Sequence, residues 1–232
     1  MSKRDGFTLA ELLMTVAIIL LLISMLLPSL AGAMNVARST VCRNQLRNIL
    51  CATSSYASDN KERFPRSTHS ALAAKTMPWG YALSPYMGKG DYSGDTAAWD
   101  SLFNGPYRCP QDPRRDRWSY GKSVWFELTS GETGEVAGVA DGPTYQTTTS
   151  VPDPESTILY GELGSGSMAD HLMAHFWYFG STPEVDTPRH ARSSTGDSSN
   201  FAYVGGQIRM KEFTKTFDLK KHIDYWNPGK AR

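Results

Sequence analysis

The sequence predicts an α+β protein in which a long N-terminal helix packs on a small antiparallel β-sheet with long irregular loops. Three observations lead to this prediction. Residues 9–27 form an apolar run in which Glu11 is the only charged residue, and residues 29–58 continue it as an amphipathic stretch. After Asn60 the chain changes to short β-like runs between Gly and Pro clusters, which is the pattern of strands and turns.

The length and charge of the chain limit the number of domains and the kinds of binding partner that it can have. At 232 residues it has room for one globular domain and an appended segment. Charged residues make up 20% of the chain and the formal net charge is +1, so no overall field attracts nucleic acid or another polyanion. We therefore expect no nucleic-acid partner.

The apolar run is long enough to cross a membrane. Residues 9–27 span about 28 Å at the rise of an α-helix, close to the thickness of the hydrocarbon core. Lys3 and Arg4 precede the run, which favours a cytoplasmic N-terminus and an outward-facing remainder. Basic residues also follow the run, so charge alone leaves the orientation open; they are Arg38, Arg43 and Arg47.

Two simple interpretations of this N-terminus compete with a more specific one. A secretory signal peptide would explain the small residues Ala31, Gly32 and Ala33, but the apolar run is longer than the usual core of such a peptide. A plain anchoring helix would explain the length, with Glu11 solvated at the interface. Neither accounts for a glutamate among the first apolar residues.

The stretch GFTLAELLMTVAIILLLISMLLPSL, which begins at Gly6, resembles the N-terminus of type IV pilins and type II secretion pseudopilins. The resemblance implies a pilin-like fold, with a leader peptide at 1–6, a membrane or filament-core helix at 7–28, an amphipathic half at 29–60 and a globular domain at 61–232. It implies that a prepilin peptidase cuts between Gly6 and Phe7 and that Phe7 is then methylated. Glu11 matches the glutamate at the fifth mature position, and Pro28 matches the position at which the helix bends.

The resemblance further implies a structural role and not an enzymatic one. The expected partners are the prepilin peptidase, other pilin subunits and the inner membrane, with the C-terminal domain in the periplasm or outside the cell. The Glu11 carboxylate would pair with the Phe7 amine of a neighbouring subunit, since an unpaired buried charge costs several kcal/mol. The alternative is a membrane-tethered binding module for a carbohydrate or protein that never forms a filament.

The second half of the long helix is predicted to pack on the globular domain through one apolar arc. At 100° per residue this arc holds Leu30, Met34, Ala37, Val41, Ile49, Ala52 and Tyr56. Arg43 and Arg47 lie on the opposite side. A break into two separate helices near Pro28 remains open, because proline removes a backbone donor and clashes with the preceding turn.

Four short runs are predicted as strands, at residues 123–128, 157–163, 175–179 and 201–210. The last contains Gly205 and Gly206, for which we predict a two-residue hairpin turn with positive φ at both glycines. Residues 64–113 are expected to form short helical turns and loops. Residues 164–170 and 193–199 are expected to be loops.

The globular part is loosely similar to a subgroup of prepilin-type proteins with a large C-terminal domain. The matching features are the Cys109–Pro110 dipeptide, the SYG at 119–121, the TIL at 157–159, and the later Arg189–His190 and Asn200–Phe201 pairs. The chain departs from this subgroup where its DGH motif is expected. Gly205 and Gln207 stand in place of the Asp and the His, which puts any polar role of that pair in doubt.

The three cysteines favour one disulfide and one remaining thiol in an oxidising compartment. Cys42 lies at the edge of the apolar face near Leu46, whereas Cys51 projects from the other side of the helix. We therefore predict a Cys42–Cys109 bridge, with three free thiols as the alternative. The spacing lacks the paired CxxC of structural zinc sites.

Other chemistry has weaker support in the sequence. His171 and His175 are four residues apart in DHLMAH, a helical metal-ligand spacing, but the glutamate of HExxH is absent. Asp91, Asp95 and Asp100 lie in a Gly-containing stretch that suits calcium without matching an EF-hand loop. We expect no required cofactor, with calcium as the one possibility left open, and no catalytic residues.

Overall fold

The fold is described from a computed structural model that covers residues 8–88, 96–193 and 196–232. The chain divides into two compact units, Met1–Arg38 and Ser39–Arg232. The architecture is the predicted one: a long N-terminal helix, a sheet and a second small sheet.

Helix α1 is a single element, Leu9–Asp59, 51 residues long, with Pro28 inside it. The alternative of two separate helices is therefore wrong. The helix is the one element among the described residues that is long and apolar enough to cross a membrane. Every described residue up to Arg38 is exposed, including the whole apolar run at 9–27. The first unit is thus an apolar helix that buries none of its own side chains.

In the second unit, α1 buries one face, which includes Ile49 and Ala52 of the predicted arc but not its earlier residues. The buried residues are Cys42, Leu46, Ile49, Leu50, Ala52, Thr53 and Ala57. Leu30, Met34, Ala37 and Val41, all predicted to face the domain, are exposed. The error has a physical cause. The arc treats residues 29–58 as one amphipathic stretch, whereas the apolar residues nearest the membrane-compatible run have no reason to share the packing side of the later residues.

Short helical elements connect α1 to the sheet, as predicted for residues 64–113. They are α2 (Thr68–Ala71), α3 (Trp79–Ala82), a 3-10 turn (Pro85–Met87) and α4 (Thr96–Phe103). A fifth helix, α5 (Ser130–Ala137), follows the first strand; Thr129 and Glu132 form its capping box, and Gly138 ends it in the left-handed conformation.

The main sheet has six strands. They are β1 (Tyr120–Ser123), β2 (Ile158–Glu162), β3 (His171–Leu172), β4 (Ala191–Ser193), β5 (Gly196–Tyr203) and β6 (Ile208–Glu212). Their order is β3-β1-β2-β5-β4, with β6 also paired to β5. All pairs are antiparallel except β1 with β3, which is parallel. The sheet is therefore mixed, not purely antiparallel. A second sheet pairs β7 (Phe217–Asp218) with β8 (Ile223–Asp224).

The core lies between the second part of α1, the connecting segment and the main sheet. Two hydroxyl contacts attach α1 to the strands: Thr53 Oγ1 lies 2.8 Å from the Tyr160 hydroxyl, and the Tyr120 hydroxyl donates to Gln45 Oε1 at 2.8 Å. The tryptophans whose burial the structure describes all lie in this core, as expected for a small domain: Trp79, Trp118, Trp125, Trp177 and Trp226.

Two of the four predicted strands are wrong. The predicted strand at 123–128 is extended only as far as Ser123, where β1 ends, and Val124–Phe126 forms a 3-10 turn. The predicted strand at 175–179 lies in the 3-10 helix Ala174–Phe179. Both runs are consecutive apolar residues, and such a run does not separate a strand from a tightly wound buried turn. The strand predicted at 157–163 is confirmed as β2.

The predicted hairpin is confirmed as β5–β6, but its turn differs. The Gly206 amide donates to the Tyr203 carbonyl at 3.0 Å, and the Tyr203 amide donates to the Gln207 carbonyl at 2.9 Å. Of the two glycines, Gly206 alone has positive φ, at 99°. This is a three-residue loop with a glycine bulge. The predicted loop at 193–199 is also wrong in part, because β4 ends and β5 begins within it, whereas 164–170 contains neither helix nor strand.

Candidate functional site

The first candidate site is the N-terminus of α1, where Glu11 is held by the residue that caps the helix. The Thr8 amide and the Thr8 hydroxyl donate to Glu11 Oε2 at 2.9 and 2.8 Å, and the Glu11 amide donates back to Thr8 Oγ1 at 3.3 Å. This reciprocal pattern is a capping box. Both of these bonds end on Oε2, and no donor to Oε1 is found among the described residues. Gly6 and Phe7, the predicted cleavage residues, lie outside the described residues.

The apolar helix that follows satisfies its own polar side chains. The hydroxyls of Thr15, Ser24 and Ser29 each donate to a carbonyl three residues earlier, at 2.8 Å. Such internal bonding lets hydroxyls lie in a hydrocarbon environment. Pro28 brings no amide hydrogen, so the Ser24 carbonyl loses its usual helical donor. The segment presents apolar side chains all round, with Glu11 as its one charged group.

The second candidate site is a buried corner of the globular unit. Cys42 of α1 and Cys109 of the connecting segment form a disulfide with a Cα–Cα distance of 5.1 Å and a sequence separation of 67. This is the bridge that the sequence favoured. In the loop-entropy account such a bridge stabilises the fold by about 4 kcal/mol. Cys51 is exposed and free.

A buried acid–imidazole pair lies beside the disulfide. His190 Nε2 is 2.5 Å from Glu162 Oε1 and 3.8 Å from Cys109 Sγ. Both side chains are fully buried. Asn200 holds the carboxylate from the next strand, since its amide donates to Glu162 Oε2 at 3.0 Å and its side chain donates to Oε1 at 3.3 Å. His190 Nδ1 has no hydrogen-bond partner among the described residues.

Arginines join this corner to the surrounding loops. Arg114 binds Asp112 through Nε and Nη2, at 2.9 and 2.7 Å. Arg189 donates to the carboxylate of Asp186 and to the Ser119 carbonyl, each at 2.9 Å. Burial alone would raise the pKa of Asp112, but the hydrogen bonds and charges of Arg114 and Arg189 outweigh it and lower that pKa. The arrangement fixes loops around β2.

The weak metal candidates of the sequence do not form a helical ligand pair. His171 lies in β3 and His175 in a 3-10 helix, so the four-residue spacing places them on different elements. His171 Nδ1 is 2.9 Å from Asp170 Oδ1. Burial lowers the pKa of His175 to about 4. Asp91 and Asp95 lie outside the described residues, and Asp100 is exposed in α4. Calcium binding stays a prediction.

The departure from the DGH pattern has a steric counterpart in the turn. A Cβ on Gly205 would lie 2.4 Å from Glu155 Oε1 and 3.2 Å from the Pro154 carbonyl oxygen. A side chain here would therefore require Glu155 to move. Gln207 is half-buried, and its Oε1 has no partner among the described residues.

Sequence reasoning missed the buried charges of the sheet. Lys122 in β1 and Glu162 in β2 are each fully buried, and both lie in otherwise apolar or neutral strand sequences. The position of each charge within a strand was the signal that the sequence offered, because a charged side chain in a buried strand requires a partner. The identity of the partner, such as His190 for Glu162, depends on long-range pairing that the local sequence does not specify.

Comparison with known proteins gives one match. The model of the prokaryotic N-terminal methylation motif matches residues 1–27. No curated protein and no solved structure is significantly similar to the chain. The matched motif and the long apolar helix behind it are the features of a prepilin-type protein.

Proposed function

We propose, on the premise that residues 1–27 carry a prokaryotic N-terminal methylation motif, that this chain is a structural subunit of a type II secretion pseudopilus or a type IV pilus-like filament. Prepilin peptidase would remove residues 1–6 and methylate Phe7. The apolar helices of many copies would then form the filament core, and the globular units would form its outer surface.

The observation that carries this proposal is the complete exposure of the apolar segment at 9–27. Nineteen residues with one charge cannot remain in water at this exposure, since each buried Leu or Ile gains about 1.5–3 kcal/mol over an exposed one. A bilayer covers the segment before assembly, and neighbouring copies of the same helix cover it afterwards. The inner membrane is therefore the proposed location, with the globular unit on the outer side.

Glu11 supplies the specificity of assembly in this proposal. Thr8 donates to one oxygen of its carboxylate, and the other oxygen has no donor in the part of the chain that the structure describes. The new α-amino group of Phe7 in a neighbouring subunit is a donor of opposite charge. Pairing the two removes the cost of an isolated charge in an apolar core and sets the axial stagger between subunits.

A pair of variants tests this role. Glu11→Gln keeps an oxygen that accepts the Thr8 bonds but loses the charge. Thr8→Ala keeps the charge but loses the hydroxyl cap. If Glu11 sets assembly, Glu11→Gln inserts into the membrane and fails to form filaments or cross-linked ladders in the native host, while Thr8→Ala assembles. Filaments formed by Glu11→Gln at the wild-type level would contradict the proposal. A tethered binding module would form no filaments with either residue at position 11, and its binding activity would survive the substitution.

A further inference from the structure

We propose that the reduced chain binds one Zn²⁺ ion through Cys42, Cys109, Glu162 and His190, at the corner that the disulfide closes when the chain is oxidised. The ligand atoms of these four residues all lie within 4.8 Å of one another. In a tetrahedral zinc site, the ligand atoms lie about 3.3–3.8 Å apart. Small side-chain shifts therefore convert the observed cluster into a coordination sphere.

The donor set suits zinc. Two thiolates, one imidazole and one carboxylate are all groups that bind Zn²⁺, and four protein ligands close a tetrahedral site. The spacing of the four residues in the sequence does not indicate a zinc site, because they come from four separate places: α1, the segment before β1, strand β2 and the residue before β4. A search of the sequence for paired CxxC motifs misses a site whose ligands come one by one from distant segments.

Neighbouring side chains fix the positions of the candidate ligands. Cys42, Cys109 and Glu162 are buried, and the His190 side chain is fully enclosed although the residue as a whole is half-buried. The His190 imidazole contacts Cys109 and Glu162 through Nε2. Asn200 donates two hydrogen bonds to Glu162 and so fixes the orientation of that carboxylate. An outer-shell bond of this kind is what orients the carboxylate of a metal site. A disulfide alone needs neither the acid nor the imidazole beside it.

The charges balance in both states. Opening the disulfide to two thiolates adds two negative charges, and Zn²⁺ adds two positive ones, so the net charge of the buried corner is unchanged. The two thiols release their protons to solvent when the ion binds. The His190 proton moves from Nε2 to Nδ1, the ring nitrogen that has no partner among the described residues. No electron is transferred in this step, because the cysteines are synthesised in the reduced form.

The ion and the disulfide exclude each other, since both use the same two sulfur atoms. The oxidised chain therefore has no zinc site, and reduction restores it. With a phosphine as reductant, the phosphine and one water molecule become the phosphine oxide while the disulfide becomes two thiols. The proposal is independent of filament formation.

The test uses the full chain in detergent with Cys51→Ser, which removes the exposed third thiol. After anaerobic reduction with a phosphine, we expect one zinc per chain by elemental analysis after gel filtration. Co²⁺ in place of zinc should give the strong thiolate charge-transfer absorption of a tetrahedral site. The same chain left oxidised should retain neither metal. A reduced chain that binds no metal at this stoichiometry would overturn the proposal.

Variants of the non-sulfur ligands separate this site from a chance dithiol. Glu162→Gln and His190→Gln should each weaken zinc affinity at least about tenfold, the smallest effect seen for loss of even an outer-shell partner. Glu135→Gln, at an exposed position of α5, is the matched control and should bind as the parent does. The oxidised form of each variant, closed by its disulfide, serves as the folded reference. Equal affinity in all three variants would also overturn the proposal.

Discussion

The ammonium group of Lys122 is fully buried in the sheet, so it requires a partner of opposite charge. Nζ lies 3.6 Å from Glu127 Oε1, and both side chains are completely enclosed. The Ser67 amide and the Ser70 hydroxyl donate to Glu127 Oε2 at 2.9 and 2.6 Å. Burial lowers the pKa of Lys122. Each charge depends on the other, since either one alone would be buried in an apolar core without a partner.

This dependence predicts strong coupling between the two residues. Lys122→Met and Glu127→Gln should each lower the free energy of unfolding by about 3–5 kcal/mol, because each leaves one buried charge uncompensated. The double variant should lose much less than the sum of the two single losses. Urea unfolding of the four chains measures this cycle. Additive losses would show that the two groups do not depend on each other.

The buried ionisable residues also predict loss of stability in acid. Burial lowers the pKa of His175 to about 4 from a usual 6.5, so the unfolded chain binds this proton first as pH falls. Burial alone would raise the pKa of Glu127, but Lys122 and the serine hydroxyls lower it overall. Both groups therefore contribute stability at neutral pH. The His175 contribution is lost between pH 6.5 and about 4, and that of Glu127 is lost below its usual 4.5.

The corresponding measurement is the free energy of unfolding from pH 7 to pH 3. We expect a steady fall, and His175→Gln should remove the part between pH 6.5 and about 4 while leaving the lower part. His222→Gln, at an exposed position, is the control and should follow the wild type. A wild-type stability that rises as pH falls from 6.5 to 5 would contradict this assignment.

At the scale of elements, neighbouring side chains decide whether a glycine in a short helix can be replaced by a larger residue. Gly80 in α3 faces the Trp118 ring: a Cβ built there would lie 2.0 Å from the nearest ring carbon. Gly131 in α5 has no heavy atom within 4 Å of the same position. Both glycines are helical, so they differ in packing and not in backbone conformation.

This difference predicts opposite effects of one substitution. Gly80→Ala should lower the free energy of unfolding by about 1–3 kcal/mol, because Trp118 must move inside a packed core. Gly131→Ala should raise it by up to about 1 kcal/mol, because alanine favours the helix and meets no neighbour. Thermal unfolding of the two variants tests the pair. A Gly80→Ala variant as stable as Gly131→Ala would show that the Trp118 contact is not tight.

The elements also show where sequence reasoning is limited. Strand β2 and hairpin β5–β6 follow from their β-branched and aromatic residues and from the glycines of the turn. The 3-10 elements Val124–Phe126 and Ala174–Phe179 do not, because tertiary burial on all sides removes the alternation that distinguishes a strand. The Glu162–His190 contact was beyond prediction for another reason: it joins residues 28 apart in the chain, one in β2 and the other just before β4.

At the scale of the whole molecule, the N-terminal motif could be recognised from the sequence and the buried contacts of the globular unit could not. A membrane-length apolar run, a glutamate near its start and basic residues before it are local patterns, so the motif at residues 1–27 can be recognised without a structure. A buried corner such as the one formed by Cys42, Cys109 and Glu162 exists only once distant segments meet. This contrast leaves the filament proposal dependent on the N-terminus.

The most direct test of that proposal is mass spectrometry of the intact chain extracted from native membranes. We expect a chain that begins at Phe7 with one added methyl group on its amine, since pairing with Glu11 requires a free, newly exposed N-terminus. The Glu11→Gln chain should be processed at the same position, which separates processing from assembly. A native chain that retains residues 1–6, or one that begins beyond Ala33 as after removal of a signal peptide, would contradict the account.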